Sequence, residues 1–127
     1  MSHWSDSYLG LPWIEGKFDC ADLTTKIQLE VFGKTIKLPT SHGESHFGRA
    51  ATIAVHKDVY VEPIEIPEDG DGVLLLARGR IQHIGTYCLI DGEPWVLHNQ
   101  QGAGTHRLRL RDLKKWHYTV EGFYRWK

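Results

Sequence analysis

At 127 residues the chain is long enough to bury a hydrophobic core of its own, so we expect one domain over residues 1–127. Apolar residues make up 41% of the chain, charged residues 24%, and the formal net charge is −1, which argues against nucleic acid or an anionic membrane as the main partner. No apolar run approaches the roughly 20 residues of a membrane span, and "MSHWSDSYLG" lacks the regions of a signal peptide, so we expect synthesis in the cytoplasm.

The first predicted element is a helix that follows the loop "GLPWIEGK". Asp19 is a favourable N-cap residue, and Gly33 stands where helices commonly end. Between them, Cys20 and three aliphatic residues recur at the spacing of one helix face, while Thr24 and Gln28 belong to the polar remainder. The pattern therefore predicts that Cys20 lies in the first turn, on a buried stripe.

The rest of the chain predicts a short helix followed by an antiparallel sheet. The helix is expected over about 44–55. Three adjacent strands are expected from "VLLLA", "IQHIGTYCLI" and "EPWVLHN", which are separated by the turns "RGR" and Asp91-Gly92. "HRLRLRD" alternates like a half-exposed strand, "DLKKW" suits a helical turn, and "YTVEGFYRWK" suits a closing strand. This order predicts an α+β domain.

Two of the eight histidines fall where a cysteine nucleophile would need a base. His83 is in the second strand of the predicted hairpin sheet, and His98 ends the next strand. Counted from the turn between those strands, the two are near neighbours, diagonal to each other. A helix docked on the sheet would then complete a row of Cys20, His83 and His98. Cys88 lies on the apolar strand face, where we expect it to serve packing.

The charges around Cys20 favour a reactive thiol only if the histidine is in contact with it. A free cysteine has a pKa near 8.5, which falls to roughly 3.5–7.5 beside an imidazolium and a helix N-terminus. Asp19 and Asp22 flank the thiol and would raise its pKa. An opposite charge in close contact supplies about 1–3 pKa units, so the histidine pairing would outweigh the screened carboxylates.

Several segments, in order, resemble the NlpC family of papain-like cell-wall peptidases, and especially its short members encoded with phage tail-assembly genes. These segments are "YLGLPWIEGKFDCADL", "KLPTSH", "EDGDGVLLLARGRIQHIGTYCLIDGEPWVLHN" and "GFYR". The resemblance covers about Tyr8 to His98 and extends more loosely to Arg125. It implies a papain-like α+β domain in which an N-terminal helix carries the cysteine and packs on an antiparallel sheet.

The resemblance also implies roles for the residues at matching positions. Cys20 would be the nucleophile, His83 the general base and His98 the residue that orients the base. Tyr8 matches a family tyrosine whose hydroxyl helps to hold the oxyanion, together with the backbone N–H of Cys20. The implied reaction is hydrolysis of an amide bond in peptidoglycan stem peptides, with no metal and no organic cofactor.

The chain departs from the family pattern at two places near the implied site. Ala21-Asp22 stands where Ser-Gly is usual, so the Asp22 carboxylate lies where small residues let substrate approach. Asn99 stands where alanine is common and is an alternative to His98 for the orienting role.

Two other functions stay open from the sequence. One is a tail-assembly or structural protein that keeps the fold with or without catalysis. The other is an amidase or acyltransferase that uses the same triad on another acyl group. Because no signal peptide is expected, a tail particle, a lysis system or a secretion apparatus would carry the protein to the cell wall. The resemblance favours a phage tail or tail-like particle as the partner.

Three further features have plainer interpretations. His42 and His46 have a helical zinc-ligand spacing, but no third and fourth ligands are evident, so we expect a polar loop or helix start. Asp69 and Asp71 are too close together for a calcium loop and are expected to form a turn. A basic strip is expected to be a solvated strand face or, alternatively, a contact for an acidic peptide or partner subunit: Arg107, Arg109 and Arg111.

Overall fold

The structure, a computed structural model, describes residues 2–36, 61–77 and 80–127 of the chain. The helix predicted over about 44–55, the "KLPTSH" segment and the pair His42 and His46 lie outside the described residues. So does most of the predicted "RGR" turn.

The described residues form an α+β fold, as the order of the predicted elements indicated. One α-helix, α1 (Cys20–Glu30), and two 3-10 helices (Trp4–Tyr8 and Leu110–Trp116) accompany six strands. The strands are β1 (Val61–Ile64), β2 (Gly72–Ala77), β3 (Arg80–Ile90), β4 (Glu93–Gln100), β5 (Gly104–Arg109) and β6 (Tyr118–Trp126). They form one antiparallel sheet in the order β1-β6-β2-β3-β4-β5. Among the described residues, no helix is long and apolar enough to cross a membrane.

Helix α1 begins where its capping signal predicts. The Asp19 carboxylate accepts hydrogen bonds from the backbone N–H groups of Ala21 and Asp22, and the Asp22 carboxylate accepts one from the Asp19 N–H. This reciprocal capping box satisfies amides that the helix itself leaves unpaired. Gly33, with a φ of 67°, then turns the chain after the last helical residue.

Two polar residues of α1 are buried, which the spacing alone did not predict. Thr24 donates its hydroxyl hydrogen bond to the Cys20 carbonyl, and Gln28 Nε2 donates to the Gly70 carbonyl at 2.8 Å. Because these partners satisfy them, both side chains can lie beside the apolar stripe without a large desolvation cost. The buried surface of α1 is therefore wider than the predicted stripe.

The β3–β4 hairpin has the predicted turn and register. Asp91 and Gly92 have φ values of 52° and 78°, which match the type I′ turn that Asp-Gly favours. The register then aligns Thr86 with Leu97. With β2 on the other side of β3, these strands are the three adjacent strands expected from the sequence.

Two described elements were not predicted. β1 pairs with β6 at an edge of the sheet and contains Pro63, a residue that edge strands tolerate but that weakens a sequence-based strand prediction. The 3-10 helix Trp4–Tyr8 begins at His3, which caps it by accepting a hydrogen bond from the Ser5 N–H. Its single turn is too short to show a helical period.

The sheet has one face toward α1 and another that carries the two histidines of interest. Leu23 and Ile27 of α1 form a cluster with Cys88 and Leu97 on the first face. On the second face, residues of five strands cluster with the second 3-10 helix: Val73, Leu75, Tyr87, Val96, Leu108, Leu113 and Tyr118. Cys88 is fully buried, and burial raises its pKa to about 12, so the expectation that it serves packing is confirmed.

Candidate active site

The centre of the candidate site is a buried pair of histidines on β3 and β4. His83 Nε2 lies 2.6 Å from His98 Nδ1, and the side chains are 3% and 0% exposed. Because Thr86 aligns with Leu97, His83 and His98 are diagonal neighbours on the same face. The adjacency predicted from the hairpin is confirmed.

His98 is a neutral imidazole at neutral pH. Burial, together with the nearby His83 and His106, holds the pKa of His98 well below its ordinary value of 6.5. Its Nδ1 meets His83, whereas its Nε2 is buried without a hydrogen-bond partner among the residues that the structure describes. Among the described residues, His98 therefore makes its side-chain hydrogen bond through a single ring nitrogen, the one that faces His83.

Two aromatic side chains that the sequence did not single out enclose this pair. The Tyr118 ring stacks on His83 at a centroid distance of 5.9 Å and an angle of 14°, and it is perpendicular to the His98 ring at a centroid distance of 5.6 Å. His106 lies directly opposite His98 in the β4–β5 register, with ring centroids 4.4 Å apart. The contact of His106 with His98 could be inferred by extending the strand register. The contacts of Tyr118 with the two histidines depend on how β6 joins the sheet.

Cys20 is the first residue of α1 and is 1% exposed. It belongs to an apolar cluster that includes Leu74 and Ile84, the residue next to His83. Burial first and then the charge of Cys20 raise the pKa of Tyr118, which stacks on His83.

Asn99 holds the loop that leads into α1. Its Nδ2 donates to the carbonyl oxygens of Pro12 and Phe18 at 3.2 and 3.4 Å, and its side chain is fully buried. The structure places His98, not Asn99, against His83. Asp22 is engaged in the capping box with Asp19, as described above. Asn99 and Asp22 thus contribute to the position of the Cys20 backbone.

Tyr8 lies at the wrong end of α1 for the oxyanion role that the resemblance implies. Its hydroxyl donates to Glu30 Oε1 at 2.7 Å, and Glu30 is the last residue of the helix that Cys20 begins. With a rise of about 1.5 Å per residue, these helix ends are about 15 Å apart. Burial and the Glu30 carboxylate raise the pKa of Tyr8 to about 12. Tyr8 supports the end of α1, and we do not assign it to the site.

Gly85 allows the two histidine strands to approach. A Cβ at this position would lie 2.5 Å from Val96 Cγ1 and 3.1 Å from the Leu97 carbonyl oxygen. Real Cβ atoms essentially never come as close as the first of these distances. A side chain at position 85 would thus push β4 away and separate His98 from His83.

The other sequence features serve the fold. Asp69 accepts hydrogen bonds from the Leu89 N–H and from Trp4, and Asp71 pairs with Arg125, so both acidic residues tie the turn to other elements. The basic strip is engaged rather than simply solvated: Arg107 binds Asp6, while Arg109 and Arg111 lie beside Glu93. Within the described ranges, no group of three or more His, Cys, Asp or Glu side chains is arranged to hold a metal ion.

Comparisons with protein families and with curated proteins identify no relative of this chain. No family model matches the chain, and no curated protein is significantly similar to it.

Proposed function

We propose that the chain is a papain-like cysteine peptidase of the NlpC type that hydrolyses an amide bond in peptidoglycan stem peptides. The observation that carries this proposal is the buried hydrogen-bonded pair of His83 and His98. A base that is held by a second polar side chain is the arrangement that thiol nucleophiles use, and Cys20 at the start of α1 is our candidate for the nucleophile. The ordered sequence motifs add the substrate class.

The hydrogen bond between the histidines determines which nitrogen of the base is used. Since His98 is neutral, its Nδ1 can accept a hydrogen bond from the Nε2–H group of His83. In that tautomer His83 donates through Nε2, and its Nδ1 is the nitrogen left for the thiol. His98 thereby orients the base, and the Cys20 thiolate forms an ion pair with the His83 imidazolium.

The start of α1 supports the negative charge of the nucleophile. Backbone N–H groups point toward the N-terminus of a helix, where the dipole favours an anion by about 0.3–1 kcal/mol. The Asp19 carboxylate occupies the amides of Ala21 and Asp22. The backbone N–H of Cys20 is our candidate for a donor to the oxyanion.

The reaction proceeds in two steps with these groups. The thiolate sulfur of Cys20 attacks the amide carbonyl, and the His83 imidazolium gives its proton to the nitrogen that leaves as an amine. A thioester joins Cys20 to the acyl fragment. His83 then takes a proton from water, the hydroxide displaces the sulfur, and the free acid and thiolate are regenerated.

The site of action follows from the substrate. Stem peptides lie outside the bacterial cytoplasm, so the protein must be delivered to the cell wall to reach them. On the resemblance to the short members encoded with phage tail-assembly genes, we propose that a phage tail or tail-like particle delivers it.

The burial of Cys20 favours a second candidate function. With 1% of its surface exposed, the cysteine is reached by a substrate only when its neighbours move. A structural protein of tail assembly that keeps the fold without catalysis would need no such movement. This candidate predicts a thiol whose pKa is not lowered below the ordinary value of about 8.5.

Mass spectrometry of purified muropeptides tests the first proposal. Wild-type protein is expected to produce new fragments whose masses identify the amide bond cut, and Cys20→Ala is expected to produce none. Cys88→Ala is the matched control, because it removes the other thiol and should leave cleavage intact. Absence of cleavage by folded wild-type protein, or cleavage by folded Cys20→Ala, contradicts the proposal.

A further inference from the structure

We propose that Tyr118 is a positioning residue of this site: the face of its ring holds the His83 imidazole in the orientation that meets His98 and leaves the other nitrogen for Cys20. The inference rests on the proposed function for its catalytic consequence, but its geometric part concerns only the described side chains. Neither the sequence motifs nor the resemblance assigns a role to Tyr118.

The contacts of Tyr118 support both parts of this role. Its ring is nearly parallel to His83, with an angle of 14°, and perpendicular to His98, with an angle of 90°. One tyrosine ring is therefore stacked with the first imidazole and perpendicular to the second. Offset stacked and edge-to-face arrangements are the favourable geometries for aromatic pairs.

Tyr118 is itself firmly held. It is 8% exposed and packs in the cluster with Leu75 and Leu113. It also begins β6, where it pairs with Ala77 of β2. The preceding residue, His117, has a φ of 65° and turns the chain from the 3-10 helix into the strand. The tyrosine ring thus has a position set by both backbone pairing and packing.

The His83 ring needs such a support. The second side-chain torsion of histidine has broad, roughly two-fold energy wells, so the orientation of an imidazole depends on the groups that pack against it. A ring against its face restricts this torsion. It also keeps water from the hydrogen bond to His98, which strengthens that bond in a low-dielectric interior.

The Tyr118 hydroxyl is not the group that this inference requires. The pKa of the phenol is raised by burial and by the Cys20 charge, so Tyr118 stays neutral where a cysteine peptidase would work. The stacking depends on the ring alone. Tyr118→Phe therefore keeps the proposed function of the residue, whereas Tyr118→Leu removes it with a similar apolar volume.

The first experiment compares these two variants in muropeptide cleavage and in titration of the Cys20 thiolate. Ultraviolet absorbance of the thiolate is recorded in a Cys88→Ala background, with His83→Gln as the reference for a thiol without its base. Tyr118→Phe is expected to match wild type. Tyr118→Leu is expected to lower kcat by about 10- to 100-fold with little change in KM, and to move the thiolate titration toward that of His83→Gln.

The outcomes separate the two proposals. If wild type cleaves no muropeptide but Tyr118→Leu still shifts the thiolate titration, the peptidase proposal fails and the positioning role stands. If Tyr118→Leu titrates like wild type, or Tyr118→Phe loses as much as Tyr118→Leu, the positioning role of the ring is wrong. Identical titrations of wild type and His83→Gln would remove the ion pair and overturn this inference as well.

A second measurement covers the case in which Tyr118→Leu does not fold. In nuclear magnetic resonance spectra, the imidazole carbon-bound protons of His83 are expected to be shifted upfield by the tyrosine ring. The shift should persist in Tyr118→Phe, which retains an aromatic ring. Unshifted His83 resonances in the wild-type protein would show that the ring does not lie against the imidazole and would overturn the inference.

Discussion

At the scale of single residues, the candidate site depends on a buried histidine that is kept neutral. His98 is fully buried and interacts with His83 through one nitrogen, while His83 and His106 both oppose a positive charge on it. A neutral His98 can accept the hydrogen bond that orients a base. Its burial must therefore reduce the stability of the fold in acid.

The unfolding free energy should fall as the pH drops below about 6.5, and His98 should cause part of that fall. In the unfolded chain His98 binds a proton near this pH, whereas in the folded protein its pKa is lowered, so the unfolded state binds more protons. The loss of stability due to His98 is absent above about pH 6.5. Below that pH it grows by up to about 1.4 kcal/mol per pH unit, until the pKa of His98 in the folded protein is reached. Urea unfolding between about pH 5 and 8 measures it.

Two variants test this contribution: His98→Asn removes the buried imidazole, and His117→Asn is the matched control. His98→Asn is expected to be less stable at every pH but to have a shallower slope below about pH 6.5. His117 is exposed and has a left-handed backbone that asparagine tolerates, so His117→Asn should keep the wild-type slope. An unchanged slope in His98→Asn would contradict the prediction.

At the scale of elements, the position of Cys20 is determined by the start of α1. The Asp19 carboxylate is buried and caps two amides, and Asn99 holds the Phe18 carbonyl just before the helix. These contacts join the helix start to β4, the strand that carries His98. The start of the helix that carries Cys20 and the strand that carries His98 are thus connected through the Asn99 amide.

Loss of the cap should destabilise the protein and disturb the thiol together. Asp19→Ala is expected to lower the unfolding free energy by about 0.5–2 kcal/mol, because two helix amides lose their acceptor. Asp19→Asn keeps an acceptor oxygen and is the control, for which we expect a loss of only a few tenths of a kcal/mol. Chemical denaturation measures both. Equal stability of Asp19→Ala and wild type would show that the cap contributes nothing.

At the scale of the whole molecule, one carboxylate ties the N-terminal segment to the sheet. Asp69 accepts hydrogen bonds from Trp4 Nε1 at 2.6 Å and from the Leu89 N–H at 2.8 Å, and it lies 3.2 Å from His3 Nε2. The first 3-10 helix is thereby attached to the turn before β2 and to β3. Trp4 in turn packs edge-on against Phe32, which follows α1.

Removal of this carboxylate should loosen the N-terminal segment and lower global stability. Asp69→Ala is expected to cost about 1–3 kcal/mol, because hydrogen bonds to a charged acceptor are lost at the indole and at a strand amide. Thermal and urea unfolding measure the loss, and hydrogen exchange of the first ten residues locates it. Glu65→Ala, which removes an exposed carboxylate near the same turn, should be almost neutral. Equal losses of stability in the two variants would contradict a specific role of Asp69 in attaching the N-terminal segment.

The parts of the fold that the sequence predicted have local signals. The capping residue and apolar spacing predicted α1, and Asp91-Gly92 predicted the hairpin and its register. The strand β1 was missed because Pro63 weakens its signal, and the helix Trp4–Tyr8 because one turn shows no period. The burial of Gln28 was missed because its partner, the Gly70 carbonyl, is 42 residues away.

By itself the sequence determined helix α1, the β3–β4 hairpin and the meeting of His83 with His98, because a turn of known type sets the register of the two strands it joins. Only the tertiary structure decided what surrounds that pair. Tyr118 reaches His83 because β6 inserts beside β2, and Tyr8 bonds Glu30 because the N-terminal segment packs at the far end of α1. Such contacts depend on how distant segments pack, which no local pattern of residues encodes.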